Sequence, residues 1–277
     1  MGGKFDKRNT LNDLTGREWL KLTKSFWMSE KCAADKFAFQ HPAPFLIQDI
    51  EKLISLFTKK GMTVLDPFSG IGTTLVASAN LKRRCVGIDL SSDYCDLAAE
   101  RLANNSNRVG QKIICGDSLN EIKKLRGLVD YCVTSPPYHN ILKNNGAGIR
   151  AKKSNKRSGA RLGVNYYSDS KLDLGNQETY ADFLVGLEKI LSEVFKKLRT
   201  SKYTSIIISD FTVSKKETCV TGDVVSLMQK IGFEFSGSIA LLQNNKPLYP
   251  FGYPYAYKIN HHHQSVLNFK KLLTPNI

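Results

Sequence analysis

Four adjacent residues could hold an aromatic amino group for chemistry: Ser135, Pro136, Pro137 and Tyr138, which follow an apolar run ending at Thr134. The two prolines fix φ and remove two backbone donors, so the chain leaves the run stiffly and its carbonyl groups stay free to accept hydrogen bonds. The Ser135 hydroxyl and the Pro136 carbonyl could accept the protons of an amino group, while the Tyr138 ring offers a flat surface for stacking. A Pro-Pro pair alone is equally consistent with an ordinary loop, so its position in the fold decides its meaning.

A glycine-rich turn upstream could hold a nucleoside. The stretch VLDPFSGIGTT places Asp66 and the turn between a strand-like run and a helix-like run. Gly70 and Gly72 let the backbone turn tightly and approach a ligand, and the following helix N-terminus offers unpaired N–H groups. Dinucleotide enzymes use the same device, although here Leu75 stands where the third glycine of GxGxxG would be.

Acidic residues end successive strand-like runs. Asp89 could accept hydrogen bonds from two ribose hydroxyls, and Asp117 lies where an adenine ring would cross the sheet edge. Each acid taken singly is better explained as a helix cap or a turn residue. Together with Asp66 they line the crevice where such folds bind ligands, so the series predicts a nucleoside site.

The elements that position these residues alternate between helix and strand. From about residue 43 the strand-like runs MTVLD, RCVGID, KIIC, VDYCVTS and YTSIIISD are separated by helical patterns, apart from the basic insertion. This alternation predicts a mostly parallel sheet covered by helices on both faces. Two late runs, FEFSGSIALL and QSVLNF, suggest an antiparallel pair at one edge. We therefore predict an α/β fold with a doubly wound, mostly parallel seven-stranded sheet and an antiparallel edge pair.

The domain organisation follows from where the helical and strand-like patterns stop. We predict one domain over residues 1–277, with an N-terminal helical extension over 1–40 and a basic insertion over 139–172. The insertion is the candidate target-recognition loop, although a disordered surface loop is equally consistent with its composition. Its candidate DNA-binding residues are Lys143, Arg150, Lys152, Lys153, Lys156, Arg157 and Arg161. The segment NNKPLYPFGYPYAYK at 244–258 could line a DNA cleft or form a packed edge loop.

The charge of the chain favours a polyanionic partner. Lys and Arg number 40 against 25 acidic residues, which gives a net charge of +15. A surplus of this size points to nucleic acid ahead of an anionic membrane. No apolar run approaches the about 18 residues that would span a bilayer, and the N-terminus lacks the apolar stretch of a signal peptide. We predict no membrane partner and a cytoplasmic location with the nucleoid.

The cysteines and histidines give no metal signature. Six cysteines are widely spaced without a CxxC pair, which is typical of reduced core residues in a cytosolic protein. His261, His262 and His263 are adjacent, so their side chains project in different directions and cannot all bind one ion. We predict no metal.

Several motifs resemble those of the cytosine-N4/adenine-N6 DNA methyltransferase family, and the resemblance covers most of the chain from about residue 37. The residues at 135–138 resemble the SPPY motif, DPFSGIGTT the glycine motif, GIDLS the ribose-binding acid and GDS the adenine contact. HPAPF at 41–45 resembles the segment that helps to hold the methionine end of the cofactor. DLGN and HHHQSVLNFKK also resemble family segments. Many bacterial relatives with this glycine motif have the reverse motif order, which makes the target-reading region harder to place.

The resemblance implies the class I methyltransferase fold and S-adenosyl-L-methionine as the cofactor. The cofactor-binding residues that it implies are His41, Pro42, Phe45, Asp66, Pro67, Phe68, Gly70, Gly72, Thr73, Thr74, Asp89, Leu90, Asp117 and Ser118.

The implied reaction is methylation of an exocyclic amino group in double-stranded DNA, with Ser135, Pro136, Pro137 and Tyr138 as the catalytic residues. The base must be flipped out of the duplex. Ser135 favours cytosine-N4, because relatives that act on adenine mostly have Asp or Asn at this position. Adenine-N6 methylation is the alternative, followed by RNA methylation and by non-catalytic nucleic-acid binding. A cognate restriction endonuclease is a possible partner. Carbon-5 methylation is disfavoured, because it needs a Cys nucleophile and the sequence has no Pro-Cys.

Overall fold

The structure, a computed structural model, describes residues 4–32, 35, 45–103, 105–139, 168–214, 216–244 and 246–272. The helices of this part are α1 (Gly16–Leu22), α2 (Ile47–Phe57), α3 (Thr73–Asn80), α4 (Ser92–Ala103), α5 (Ser118–Lys124), α6 (Tyr180–Lys197) and α7 (Val220–Ile231). Its strands are β1 (Phe26–Met28), β2 (Thr63–Asp66), β3 (Arg84–Asp89), β4 (Gln111–Cys115), β5 (Val129–Thr134), β6 (Leu198–Ile208), β7 (Phe211–Val213), β8 (Lys216–Thr218), β9 (Phe233–Leu242) and β10 (His263–Lys271).

The main sheet is mostly parallel, as predicted. Its strand order among the described residues is β1-β9-β10-β6-β5-β2-β3-β4. β2, β3, β4, β5 and β6 are parallel neighbours, whereas β10 runs antiparallel to both β6 and β9. β7 and β8 form a separate antiparallel hairpin. The α/β prediction and the antiparallel pair are confirmed, with one strand more than the predicted seven.

The additional strand comes from the N-terminal extension, which is not mainly helical. Only Gly16–Leu22 is helical among the described residues of the extension, and Phe26–Met28 pairs parallel with β9. Trp27 stabilises this strand. Its side chain is buried, and its indole N–H donates to the Leu22 carbonyl at 3.1 Å. Three residues are too few for an alternating pattern to appear in the sequence.

Helices cover both faces of the sheet. On one face, α6 and α7 bury Phe183, Leu187 and Val224 in a core that also contains Leu65 of β2. On the other face, α2 buries Ile50 and neighbouring apolar residues against β5 and the helices α3 and α4. Full burial of one such side chain contributes roughly 1.5–3 kcal/mol, so both layers fix the sheet that carries the site.

The parallel strands place their loops on one side. β2, β3, β4 and β5 run in the same direction, so the residues that follow them meet at the carboxyl edge of the sheet. These are the residues that the sequence analysis marked as chemical candidates. None of the helices in the described ranges has the length and apolar character needed to cross a bilayer.

Candidate active site

A single cavity at the carboxyl edge brings the two predicted groups of residues together. Most of the predicted cofactor-binding residues and all four residues of the SPPY motif line it. These lining residues are Phe45, Pro67, Phe68, Gly70, Thr73, Asp89, Leu90, Asp117, Ser118, Ser135, Pro136, Pro137 and Tyr138.

Three predicted cofactor residues lie behind the cavity wall. Asp66, Gly72 and Thr74 shape the turn between β2 and α3 but are not among the lining residues. Two further candidates, His41 and Pro42, lie outside the described residues. The seven basic residues predicted to bind DNA, Lys143, Arg150, Lys152, Lys153, Lys156, Arg157 and Arg161, also lie outside them.

Asp66 joins the glycine turn to the catalytic segment. Its carboxylate is buried and accepts hydrogen bonds from the hydroxyls of Thr74 at 2.5 Å and Thr134 at 2.6 Å, and from the Phe68 N–H at 3.1 Å. Burial raises the pKa of Asp66 to about 6, although these hydrogen bonds lower it. Asp66 therefore positions the turn, and it is not among the residues that line the cavity.

Gly72 allows the turn to pass close to α4. It has φ 76°, in the left-handed region, and it caps the N-terminus of α3. A Cβ at this position would lie 2.8 Å from the Cβ of Ala98 on α4. Only glycine satisfies both conditions, so this residue sets how closely the turn and its helix approach the next helix.

Asp89 is the carboxylate best placed for ribose hydroxyls. It ends β3, lines the cavity and accepts hydrogen bonds from the N–H groups of Gly70 at 2.7 Å and Ser91 at 2.9 Å. Burial raises its pKa to about 6, against the lowering effect of those backbone hydrogen bonds. Each carboxylate oxygen has more than one lone pair, so the ionised group can accept further hydrogen bonds from the cavity.

Asp117 has both of the roles considered for it. It caps α5 by accepting the Leu119 N–H at 3.2 Å, and it also accepts from the Asn120 side-chain amide at 2.7 Å. It lines the cavity as well, beside Ser118, whose hydroxyl donates to the Pro67 carbonyl. The helix-cap explanation and the ligand-site explanation are therefore compatible for this residue.

The apolar surface and the hydrogen-bond acceptors of the cavity suit an adenosine group. Apolar side chains of Phe68, Leu90 and Ile190 lie in the same lining as the carboxylates of Asp89 and Asp117. An adenine ring needs apolar surface, and ribose hydroxyls need acceptors such as a carboxylate. The residues present therefore fit S-adenosylmethionine.

Tyr138 is held in place by hydrogen bonds to its hydroxyl and by stacking of its ring on another aromatic ring. The hydroxyl accepts from the Ser209 N–H at 3.0 Å and from the Gln264 amide at 3.1 Å. The ring stacks on Phe211 with centroids 5.3 Å apart and planes inclined by 16°. Burial raises the pKa of Tyr138, so it stays a neutral aromatic surface. Phe211 occupies one face of the ring, and a base could stack only on the opposite face.

Several cavity residues were not predicted from the sequence. Gln264 comes from β10, and Asp173 from the 3₁₀ turn Leu174–Asn176 that follows the insertion. Asp173 caps this turn by accepting the Gly175 N–H at 2.8 Å. It belongs to the DLGN segment, whose resemblance to the family was the available signal. Gln264 offered no signal, because it lies within an ordinary strand pattern.

His139 follows the SPPY motif directly, but it neither lines the cavity nor points to solvent. It is buried, and its Nε2 lies 3.0 Å from the Gln177 carbonyl oxygen. Its ring packs against Tyr180 and Phe183 of α6. His139 therefore anchors the end of the catalytic segment to the helix layer.

No group of His, Cys, Asp and Glu among the described residues is arranged to hold a metal ion. His261, one of the three adjacent histidines, instead pairs with Glu217 of β8 at 2.7 Å.

Part of the chain is similar to known DNA methyltransferases. The DNA methylase family model of the N6/N4 type matches residues 4–100. The orphan methyltransferase M.BamHII of Bacillus amyloliquefaciens is 44% identical over 75 residues, which are 27% of this chain and 28% of that protein. The type II methyltransferase M2.DpnII of Streptococcus pneumoniae is 41% identical over 99 residues, 35% of each protein. The chain therefore covers only about a third of the length of these relatives.

Solved structures share the fold. TrmN from Thermus thermophilus is similar over 86% of this chain and 53% of that one, with a TM-score of 0.52 and 15% sequence identity. The class I methyltransferase fold expected from the motifs is confirmed. The family model and the two relatives above match only part of the chain, and over that part the chain is similar to the N4/N6 DNA methyltransferase family.

Proposed function

We propose that this protein methylates the exocyclic N4 amino group of cytosine in double-stranded DNA. One observation carries the proposal: the SPPY motif and the residues suited to adenosine line the same cavity. Had the two groups faced apart, no transfer between a bound cofactor and a base at Tyr138 would be possible. Similarity to the family supports S-adenosylmethionine as the cofactor, which would supply an electrophilic methyl group.

The residues of the motif have distinct tasks in this proposal. An aromatic amino group is a weak nucleophile, because its lone pair is delocalised into the ring. The Ser135 hydroxyl and the Pro136 carbonyl accept hydrogen bonds from its protons and favour the pyramidal, reactive form. The methyl group would pass from the sulfonium to the amino nitrogen, which would leave an uncharged thioether, and the surplus proton of the methylated amino group would pass to solvent. Much of the rate gain comes from orientation.

The base reaches this site by leaving the duplex. A base inside B-DNA cannot approach the cavity, so it must be flipped out at a cost of about a few kcal/mol. Stacking of the base on the face of Tyr138 opposite Phe211 would offset this cost by roughly 1–3 kcal/mol. The contact between Phe211 and Tyr138, together with the two hydrogen bonds at the hydroxyl, keeps that ring in place.

Cytosine is preferred to adenine because of Ser135. The support is the correlation within the family that the chain resembles, in which enzymes acting on adenine mostly carry Asp or Asn at this position. Adenine-N6 methylation is the second candidate, and the same cavity supports it. The basic insertion with Lys143, Arg150, Lys152, Lys153, Lys156, Arg157 and Arg161 is proposed to neutralise DNA phosphates.

Nucleoside mass spectrometry tests the reaction. Unmodified DNA incubated with the protein and S-adenosylmethionine is expected to contain 4-methylcytosine. Finding 6-methyladenine instead would overturn the interpretation of Ser135, and finding neither would overturn the proposed activity on DNA. A structured RNA incubated in parallel tests the RNA alternative. A Ser135→Ala variant, which should bind the cofactor normally and lose turnover, is the control.

A restriction endonuclease is proposed as the biological partner, acting on DNA in the cytoplasm together with this protein. The support is that the relative in Streptococcus pneumoniae is named a type II methyltransferase. If the pairing is correct, DNA methylated by this protein resists a type II endonuclease that cuts the same site.

A further inference from the structure

The loop between β9 and β10, residues 243–262, leaves the sheet beside the cavity. β9 is antiparallel to β10, which is antiparallel to β6, and β6 is parallel to β5. The carboxyl end of β9 therefore lies at the same edge as the carboxyl end of β5, where the SPPY motif begins. We call residues 243–262 the tyrosine loop.

Three tyrosines of this loop are almost fully exposed. Tyr253 is 79%, Tyr255 94% and Tyr257 91% exposed. Side chains of this size usually bury most of their surface, and a cluster of exposed rings marks a surface where a partner binds.

Hydrogen bonds hold the backbone of the loop in a conformation that leaves the three tyrosine side chains exposed. The Asn260 side chain accepts the Tyr249 N–H at 3.0 Å and donates to the Tyr249 carbonyl at 2.8 Å, which joins the two arms of the loop. Gly252, with φ 77°, accepts hydrogen bonds from the N–H groups of Tyr255 and Ala256 at 2.8 and 2.7 Å. A Cβ on Gly252 would lie 2.2 Å from the Ala256 carbonyl oxygen. The turn thus holds the tyrosines on the outside.

The base of the loop is hydrogen-bonded to the cavity. Gln243 is the first residue of the loop and donates to the Gln264 side chain at 3.0 Å. Gln264 follows the loop and donates to the Tyr138 hydroxyl at 3.1 Å. His261 also pairs with Glu217, which connects the loop to the β7–β8 hairpin. The exposed rings are therefore fixed relative to the residue proposed to stack on the target base.

The charge around the loop favours DNA. No Asp or Glu occurs between Phe235 and the end of the printed sequence, whereas the loop carries Lys246 and Lys258. Both lysines are exposed. Phosphates attract lysines, and bases and sugars offer flat surfaces to aromatic rings.

We propose that the tyrosine loop docks on the DNA next to the target base, with the rings of Tyr253, Tyr255 and Tyr257 against bases or sugars and Lys258 at a phosphate. This inference rests on the proposed function, because it takes the base at Tyr138 as the reference point.

Binding measurements on the full chain test the loop. A variant carrying Tyr253→Ala, Tyr255→Ala and Tyr257→Ala should bind a labelled duplex by anisotropy about tenfold or more weakly than the parent, since each stacked ring contributes to affinity. The corresponding triple Phe variant keeps the rings and should stay within about threefold. Affinity for S-adenosylmethionine, measured by calorimetry, should not change in either variant. Equal DNA affinity of the triple Ala variant and the parent would overturn the proposal.

A matched pair of lysine variants tests the charge. Lys258→Ala should reduce the slope of log K against log salt by about one, as expected for the loss of one phosphate contact. Lys123→Ala is the control, because this exposed lysine lies in the last turn of α5, towards the opposite edge of the sheet. If both variants keep the parent slope, Lys258 does not contact a phosphate.

These experiments distinguish failure of the inference about the tyrosine loop from failure of the proposed function. The proposed function fails if the parent protein forms no methylated nucleoside in DNA. The loop inference fails if the parent binds duplex and the triple Ala variant binds it equally well. A structured RNA that displaces the duplex from the parent, but not from the triple Ala variant, would replace DNA by RNA as the partner of the loop.

Discussion

The Thr134 hydroxyl donates a 2.6 Å hydrogen bond to Oδ1 of Asp66, across 68 positions of sequence. Thr134 is the residue before the SPPY motif, and Asp66 is the residue before the glycine-rich turn. The bond is buried and joins the carboxyl ends of two neighbouring strands. The distance between the two halves of the cavity is therefore set by a direct polar contact beneath it.

Thr134→Val should destabilise the protein by about 1–3 kcal/mol, because it leaves a buried carboxylate oxygen without one of its donors. Urea unfolding measures the free energy. Thr204→Val is the matched control on the adjacent strand, since the buried Thr204 hydroxyl has no hydrogen-bond partner within the described structure. It should change stability by less than about 1 kcal/mol. Equal losses in both variants would show that the bond to Asp66 contributes nothing.

Gly72→Ala should destabilise the protein more than Gly61→Ala. Both glycines have similar positive φ, 76° and 78°, so both substitutions share a backbone penalty of about 1–2 kcal/mol. A Cβ at Gly72 would also lie 2.8 Å from the Ala98 Cβ, whereas a Cβ at Gly61 has no atom within 4 Å. The additional loss should be about 1–3 kcal/mol and should be accompanied by weaker cofactor binding. Identical unfolding free energies for the two variants would contradict the close approach of the turn and α4.

Affinity for S-adenosylmethionine should fall as the pH decreases below about 6. Burial raises the pKa of Asp89 to about 6, so the carboxylate that accepts ribose hydroxyls becomes protonated in this range. Calorimetry should show a loss of up to about tenfold per pH unit below the pKa. Asp89→Asn should bind weakly at every pH, and the same slope in this variant would assign the effect to another group.

The contribution of Asp89 to folding stability changes with pH in the direction opposite to that of cofactor affinity. Its folded pKa is above the unfolded value, so between about pH 4 and pH 6 the folded state binds more protons than the unfolded state. The free energy of unfolding contributed by this group therefore decreases as the pH rises through that window. Weaker cofactor binding at low pH is thus not explained by unfolding driven by Asp89.

Tyr138→Ala should lower turnover on DNA by about tenfold to a hundredfold, because the surface on which the base stacks is lost. Tyr138→Phe keeps the ring and its contact with Phe211 but removes the acceptor for Ser209 and Gln264. It should retain most of the turnover and raise the KM for DNA. Both variants should bind the cofactor as the parent does, as measured by calorimetry. Full turnover of Tyr138→Ala would remove the ring from the mechanism.

Local patterns predicted much of the fold and of the site. Strand-like runs ending at Asp66, Asp89 and Thr134 are real strands, and parallel pairing brings their ends to one edge. The positions of Gly70, Asp117 and the SPPY motif at the cavity follow from this topology. Local sequence sufficed here because each residue directly follows the strand that positions it.

Other features depend on contacts between distant segments. Gln264 reaches Tyr138 across 126 positions, and nothing near Gln264 in the sequence indicates this bond. Asp66 was predicted to contact the cofactor, but its hydrogen bonds to Thr74 and Thr134 became apparent only in three dimensions. The strand at Trp27 is defined by its pairing with β9 and not by its own residues.

The pairing of Phe26–Met28 with Ala240–Leu242 has a consequence for synthesis on the ribosome. The first strand of the sheet emerges early, but its partner is made roughly two hundred residues later, so the strand must wait unpaired while the nucleotide-binding half folds. Contacts so distant in sequence form slowly, because a long loop must close first. Pairing of β1 with β9 is therefore a late step of assembly, and the edge of the sheet that carries the tyrosine loop is complete only after β9 and β10 have been made.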